Sequence, residues 1–347
     1  MSAPIDVGNN LIMQELSYDI NVLQAEADKL IPSLTNEQKS IFDKVMSTVS
    51  NDNGGFFFVY GFGGIGKTFL WNALTSSLRA QSKIVLIIAS SGIAATLLPS
   101  GRTAHSRFAI PIQVNETSMC SISQGSPLAK LLECTKLIIC NEALMVQRYC
   151  IEAFDHSLKD LIHSNLPFRA KCIIMGGDFR QILPVVPKGS RASVVNACIC
   201  SSYLWSSCTI FTLTKNMRLT TLGSEEDKKK LEWFSKWLLD VGDGKLGEPN
   251  DGTTDIEVPK ALLVNDYEDT IEGIVSVIYG DVIANLSNNE YFNDRAILAP
   301  TIEMVDKINQ YMCSLLPGEA HEFFSSDSVC QASNQRTALT IYTLLNF

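Results

Sequence analysis

The segment Gly61-Phe62-Gly63-Gly64-Ile65-Gly66-Lys67-Thr68 has the spacing G-x-x-x-x-G-K-[ST], the pattern of a loop that holds phosphate. The chemistry asks for these residue types. Glycines let backbone N–H groups close on an anion, and a helix that starts as the loop ends turns its positive dipole end on the same charge. Lys67 supplies a cation for the β- and γ-phosphates of a nucleotide, and the Thr68 hydroxyl is a Mg²⁺ ligand in this pattern. Gly61, Gly63, Gly64, Ile65 and Gly66 supply the cradle. The competing reading is a chance glycine-rich turn, and the flanks argue against it. Phe56-Phe57-Phe58-Val59-Tyr60 has strand length and strand composition. Residues 68–80 read as a helix with Phe69, Trp71, Ala73, Leu74 and Leu78 on its apolar side.

Leu137-Ile138-Ile139-Cys140-Asn141-Glu142-Ala143 is an apolar run that ends in polar residues. In an open parallel sheet, ligands bind outside the carboxyl ends of the strands, so a polar pair there faces the reacting group. Glu142 suits a general base for an attacking water. Asn141 stands where such strands usually carry an Asp for Mg²⁺. A neutral amide reaches the ion through bound water, and weakly. The alternative is a buried strand that happens to end in Asn-Glu. Another apolar strand leads into Met175-Gly176-Gly177-Asp178-Phe179-Arg180-Gln181-Ile182-Leu183-Pro184, where Gln181 can sense a γ-phosphate. Upstream, Leu34-Thr35-Asn36-Glu37-Gln38 offers in Gln38 an amide able to bond both edges of adenine. Single glutamines are more often plain surface residues.

The elements that must position these groups alternate. Short β-rich runs at residues 56–60, 84–89, 137–140, 172–175 and 209–213 are separated by amphipathic stretches, which predicts an α/β fold with a doubly wound parallel sheet. Residues 1–33 read as a polar and helical extension, 34–214 as a first domain, and 215–347 as part of a second α/β domain. That second part has an expected strand at 296–299 and then a helix carrying Ile302, Val305, Ile308, Met312 and Leu315. A strand-like run, Leu339-Thr340-Ile341-Tyr342, lies near the end. A chain of 347 residues has room for two domains at about 100–200 residues each. Its longest aliphatic run, Ile84-Val85-Leu86-Ile87-Ile88, is too short for a bilayer, so no membrane partner is expected. The ten cysteines include no C-x-x-C pair, which argues against a structural zinc site and for buried thiols in a reducing compartment. The net charge of −9 excludes a uniformly basic nucleic-acid binder but not a local basic channel.

Taken in order, these segments resemble the PIF family (petite integration frequency) of 5′-to-3′ ATP-dependent DNA helicases, and within it the plant copies similar to the helicases of Helitron transposons. The resemblance runs from about Tyr18 to Ser328. Besides the loop and the segments ending in Gln38, Glu142 and Pro184, it is carried by Ala89-Ser90-Ser91-Gly92-Ile93-Ala94-Ala95, by Gly101-Arg102-Thr103-Ala104-His105-Ser106-Arg107-Phe108 and by Asn216-Met217-Arg218. It implies a RecA-like P-loop domain with a partial second one, and ATP and Mg²⁺ as cofactors. It implies hydrolysis coupled to movement on single-stranded DNA, in service of repair, recombination and telomere maintenance. Residue by residue, it implies that Gln38 reads adenine, Lys67 and Thr68 handle phosphate and Mg²⁺, and Glu142 activates water. Gln181 would sense the γ-phosphate, Arg218 would act as an arginine finger from an interdomain cleft, and Ser90, Ser91, His105 and Phe108 would line the DNA track. Two departures stand out: Asn141 replaces an Asp, and nothing before Phe347 resembles the family's motifs V and VI, so an amino-terminal piece of a longer helicase is expected. The other readings are a nucleotide- and DNA-binding module that does not unwind, and a P-loop switch of another kind. A DNA substrate implies an intracellular location, in the nucleus or an organelle. Protein partners are left open.

Overall fold

Strand residues that are apolar at every position belong to a sheet covered on both faces. The computed structural model, which describes residues 8–162, 167–220, 224–247, 254–265, 267–318 and 321, has that sheet. Its strands are β1 (Gly55–Tyr60), β2 (Ile84–Ala89), β3 (Arg102–Thr103), β4 (Thr135–Asn141), β5 (Cys172–Gly177) and β6 (Thr209–Thr212), in the spatial order β3-β2-β4-β5-β1-β6. Every neighbouring pair is parallel. Before the first strand come α1 (Asn10–Leu16), α2 (Ile20–Leu30) and α3 (Asn36–Ser50); between strands lie α4 (Lys67–Arg79), α5 (Gly92–Thr96), α6 (Ala104–Phe108), α7 (Pro127–Cys134), α8 (Arg148–Ile162) and α9 (Arg191–Ala197); α10 (Glu225–Gly242) follows the last. This is the RecA-like doubly wound α/β sheet of a P-loop protein. The five strands expected before residue 214 are all present.

Side chains alternate along each strand, so two cores form. Phe57, Val59, Val85, Ile87, Ile139 and Ile174 pack with α3 and α4 on one face. Phe56, Phe58, Leu86, Ile88, Ile138 and Ile173 pack with α7, α8 and Ile12 of α1 on the other. In α4, Leu70, Trp71, Leu74 and Leu78 are fully buried. Leu70 takes the core position expected for Phe69, which is half-buried. The reason is helical spacing: Leu70, Leu74 and Leu78 follow at four-residue steps, and Phe69 falls to one side of that stripe.

The chain divides into two compact units, Met1–Ile256 and Glu257–Phe347, so α10 belongs to the first. In the second unit the described residues form α11 (Thr270–Tyr279), α12 (Asn289–Asn293) and α13 (Ile302–Ser314). The helix expected after Pro300 is α13. The strand expected at 296–299 is not formed, and Leu298 is 92% exposed. A strand needs a neighbour to take its N–H and C=O groups, and the described residues of this unit include no strand. The run Leu339-Thr340-Ile341-Tyr342 lies outside the described residues. No described helix is long and apolar enough to cross a membrane.

Within the first unit, α1 is part of the core rather than an appendage. Ile12 is fully buried, and Glu15 is buried with two arginines. Its carboxylate takes Arg79 Nη2 at 3.4 Å, from the end of α4, and also Arg107 Nη2, from α6. Arg79 Nη2 donates as well to Val85 O at 3.0 Å, and the Tyr18 ring lies 4.2 Å from its Cζ. Removing the shared carboxylate would leave two buried cations facing each other. We expect Glu15→Ala to lower stability by about 3–5 kcal/mol, the usual cost of breaking a buried pair from one side. Urea denaturation followed by circular dichroism measures it. A loss below about 1 kcal/mol would show that water takes over the carboxylate's part.

Candidate nucleotide and nucleic-acid site

The strand carboxyl ends deliver the chemical groups to one edge. After β1 the chain enters the loop, with the Gly61 N–H donating to Gly177 O at 3.2 Å. The loop ends at Gly66, the N-cap of α4, in the left-handed conformation at φ 80°. Any Cβ here would come within 2.2 Å of Met217 Sδ and 2.5 Å of Gln38 Nε2, so both dihedral and space require glycine. Lys67, the first residue of α4, is 7% exposed. Its Nζ donates to Gly61 O at 2.6 Å and Phe62 O at 3.4 Å. Burial lowers the Lys67 pKa, and the charges of Glu142 and Asp178 partly oppose that shift. Thr68 is exposed at the first turn.

Gln38 does not present its amide for reading a base. It is fully buried, and both ends are committed. Thr35 and Gln38 form a capping box at the start of α3, with the Thr35 N–H donating to Gln38 Oε1 at 2.9 Å. Gln38 Nε2 donates to Ile65 O at 3.3 Å and Gly66 O at 3.1 Å. The residue braces the phosphate loop. The pattern Thr35-x-x-Gln38 carries this signal in the sequence.

Arg218 lies against the loop within the first unit. The Met217 N–H donates to Gly64 O at 2.9 Å, and the Arg218 N–H to Asn216 Oδ1 at 3.0 Å. A Cβ on Gly64 would stand 3.0 Å from Arg218 Cδ. The side chain therefore covers the loop at its second glycine turn. With Gln181, Asp178, Arg180 and Asn216 it lines a pocket of about 420 Å³ whose far wall is α10, through Leu231, Phe234 and Leu238. Gln181 is exposed there.

At the end of β4, Asn141 is 8% exposed, and its Oδ1 accepts from Trp71 Nε1 at 3.1 Å. An indole only donates, so this bond fixes which way the amide faces. The oxygen expected to serve metal-bound water thus gives one of its two lone pairs to α4. Glu142 follows at φ 52°, a left-handed setting that is uncommon for a residue with a side chain and is found at functional turns. Burial raises its pKa; Lys67 opposes that and Asp178 adds to it. A carboxylate partly withdrawn from water is a stronger proton acceptor than an exposed one. Asp178, in the same group, was not singled out by sequence reasoning. Its signal is an acidic residue directly after a buried strand, as with Glu142.

Beyond β2 and β4, Ser90, Ser91 and His105 line a second hollow of about 260 Å³, together with Met145, Gln147 and Val185. Burial lowers the pKa of His105, which keeps it neutral near pH 7, and its Nε2 is 3.8 Å from Cys150 Sγ. Phe108 is not part of this surface. It is 1% exposed and stacks on Phe154 with centroids 4.0 Å apart. The short helix α6 turns its last residue inward to the core, so that ring cannot stack on a base.

The model of the PIF1-like helicase family matches residues 33–252. The chain is 30% identical over 215 residues to the ATP-dependent DNA helicase Pif1 of Campylobacter jejuni, a match that covers 60% of this chain and 44% of that protein. It is 32% identical over 178 residues to the ATP-dependent DNA helicase PIF1 of Candida albicans, covering 50% and 19%. The chain thus spans less than half the length of either relative. The crystal structure of Pif1 helicase from Candida albicans shares the fold, with a TM-score of 0.56 at 21% identity over 90% of this chain and 61% of that one. Because the family match takes in the phosphate loop, Asn141, Glu142, Asp178 and Arg218 together, this chain belongs to the PIF1-like helicase family.

Proposed function

We propose that the chain binds ATP with Mg²⁺ at the carboxyl edge of its sheet and couples hydrolysis to movement on single-stranded DNA, as a 5′-to-3′ DNA helicase. The observation that carries this is the convergence of Lys67, Glu142 and the Arg218-covered loop at one edge, in a chain whose curated relatives are named ATP-dependent DNA helicases. The donor set suits the cofactors. Backbone N–H groups at the start of α4 and the Lys67 ammonium bind phosphate, and Lys67 exchanges two carbonyl partners for phosphate oxygen. Thr68 Oγ1 and the Glu142 carboxylate are hard oxygen donors of the kind Mg²⁺ takes. The bound ion would neutralise charge on the phosphates. Glu142 accepts the proton of the attacking water, Gln181 registers the terminal phosphate, and Arg218 places its charge over the loop where negative charge builds up. Ser90, Ser91 and His105 hold the DNA strand by hydroxyl and imidazole hydrogen bonds. A substrate of this kind places the work in the nucleus or an organelle, in repair, recombination or telomere maintenance. The neutral Asn141 supports a second reading: a module that holds nucleotide and DNA but turns over slowly.

Three results are expected. Lys67→Ala weakens binding of a fluorescent ATP analogue by roughly 1.5–3 kcal/mol, the worth of a charge-assisted bond; equal affinity would remove the loop from the site. Glu142→Gln leaves that binding within a few-fold and lowers phosphate release stimulated by single-stranded DNA by about 10²–10⁴. If wild type binds ATP and DNA and releases no phosphate, the second reading holds instead. Gln38→Ala weakens ATP and GTP to the same degree, because a brace of the loop ignores the base. A loss confined to ATP in competition titrations would restore Gln38 as the adenine reader.

A further inference from the structure

The phosphate loop and the β4 end are separated in space by one strand. β5 lies between β4 and β1 in the sheet. Its last residue, Gly177, pairs with Tyr60, the last of β1, and accepts the Gly61 N–H. The residue after it therefore stands at the same edge, with the loop on one side and Asn141-Glu142 on the other. That residue is Asp178, 5% exposed and on the wall of the pocket that also reaches Phe62, Gly63 and Arg218.

We infer that Asp178 is the positioning residue that supplies, toward nucleotide-bound Mg²⁺, the negative charge that Asn141 lacks. The inference rests on the Mg²⁺-ATP reading above. Asn141 is neutral, and its oxygen already accepts from Trp71 Nε1. The charged groups left at the strand ends are Lys67, Glu142 and Asp178, whose mutual influence appears in the shifts of Lys67 and Glu142. Among these three, Asp178 makes the sum one negative charge; without it Lys67 and Glu142 cancel, and Arg218 over the loop adds a positive charge that works against a divalent cation. Arg180 does not undo this. It touches Asp178 Oδ1 through its N–H at 3.1 Å and its Nη1 at 3.4 Å, but its Nε pairs with Asp243, whose carboxyl it holds at about 2. Both of these side-chain bonds are accepted by the same carboxylate oxygen, Oδ1. Asp178 would act through its charge and through metal-bound water, as outer partners of a metal do.

The test titrates Mg²⁺ into the full chain with a fluorescent ADP and reads nucleotide affinity, with no turnover needed. Four proteins are compared: wild type, Asp178→Asn, Asn141→Asp and the double variant. Asp178→Asn should raise the Mg²⁺ concentration at half effect by about tenfold or more, as loss of an outer partner of a metal does, and leave Mg²⁺-free ADP affinity nearly unchanged. Asn141→Asp added to it should bring the Mg²⁺ dependence back toward wild type. A purely structural role would change both affinities and would not be rescued at a different strand. An unchanged Mg²⁺ dependence in Asp178→Asn, with ADP still bound, overturns the inference and leaves the nucleotide reading standing. A wild type that binds no ADP with or without Mg²⁺ overturns both. If Asp178→Asn misfolds by circular dichroism, Asp178→Glu takes its place. It keeps the charge and should keep the Mg²⁺ dependence; a rise there of the size expected for loss of the charge overturns the inference.

Discussion

The bond from the Gly61 N–H to Gly177 O is short in reach and wide in consequence. It extends the β1–β5 pairing one step past the end of β1 and fixes where the phosphate loop leaves the sheet. Parallel strands all end at the same edge, so whatever follows β5 and β4 must stand beside that loop. Asp178 and Glu142 are therefore neighbours of Lys67 by register, though more than seventy residues separate them in the chain. Hydrogen-bonded register is a stiff constraint, because slipping by one residue would turn every strand side chain to the opposite face. Here both faces are packed cores, so no slip is tolerated.

A loop with several glycines has little shape of its own, and the surrounding chain gives it one. Gln38 comes from α3 and Met217 from beyond β6, and they meet at Gly66. Burying an amide with both ends bonded is favourable, whereas burying it with one end unbonded would cost about 1–3 kcal/mol. That asymmetry makes Gln38 a precise brace: any movement of the loop away from it leaves a buried donor unsatisfied. Lys67 is held in a similar way, on two carbonyls, with its charge partly withdrawn from water. Phosphate is a better partner than a carbonyl for an ammonium so placed.

The buried arginine–glutamate–arginine group plays a comparable part on the other side of the sheet. Glu15 joins α1 to the end of the loop helix α4 and to α6, which carries His105. Ion pairs of this kind add little net stability over apolar packing, but they hold a geometry, since each member is costly to leave alone. The helix that follows the phosphate loop and the helix that carries His105 are thus tied together by a single carboxylate.

Much of the fold was legible in the amino-acid order. Strand runs and the loop follow from local composition and spacing, and each of the five strands expected before residue 214 formed where the run lay. Lys67, Thr68 and Glu142 could be named because the pattern that places them is contiguous. The capping box at Gln38 and the acidic end of β5 at Asp178 carry short patterns of their own that the sequence reading passed over. What the order could not determine was which side chains the interior would claim. Phe108 has the same composition signal as a base-stacking ring, yet α6 turns it onto Phe154. Asn141 looks like a freely turning amide until Trp71, seventy residues away, donates to its oxygen and fixes its orientation. The strand expected at 296–299 has the right residues, and the described residues of its unit offer no neighbouring strand to complete it. Local pattern reports what a segment can form; burial, register and the partner at the far end of a hydrogen bond belong to the tertiary structure alone, because each depends on residues distant in the chain.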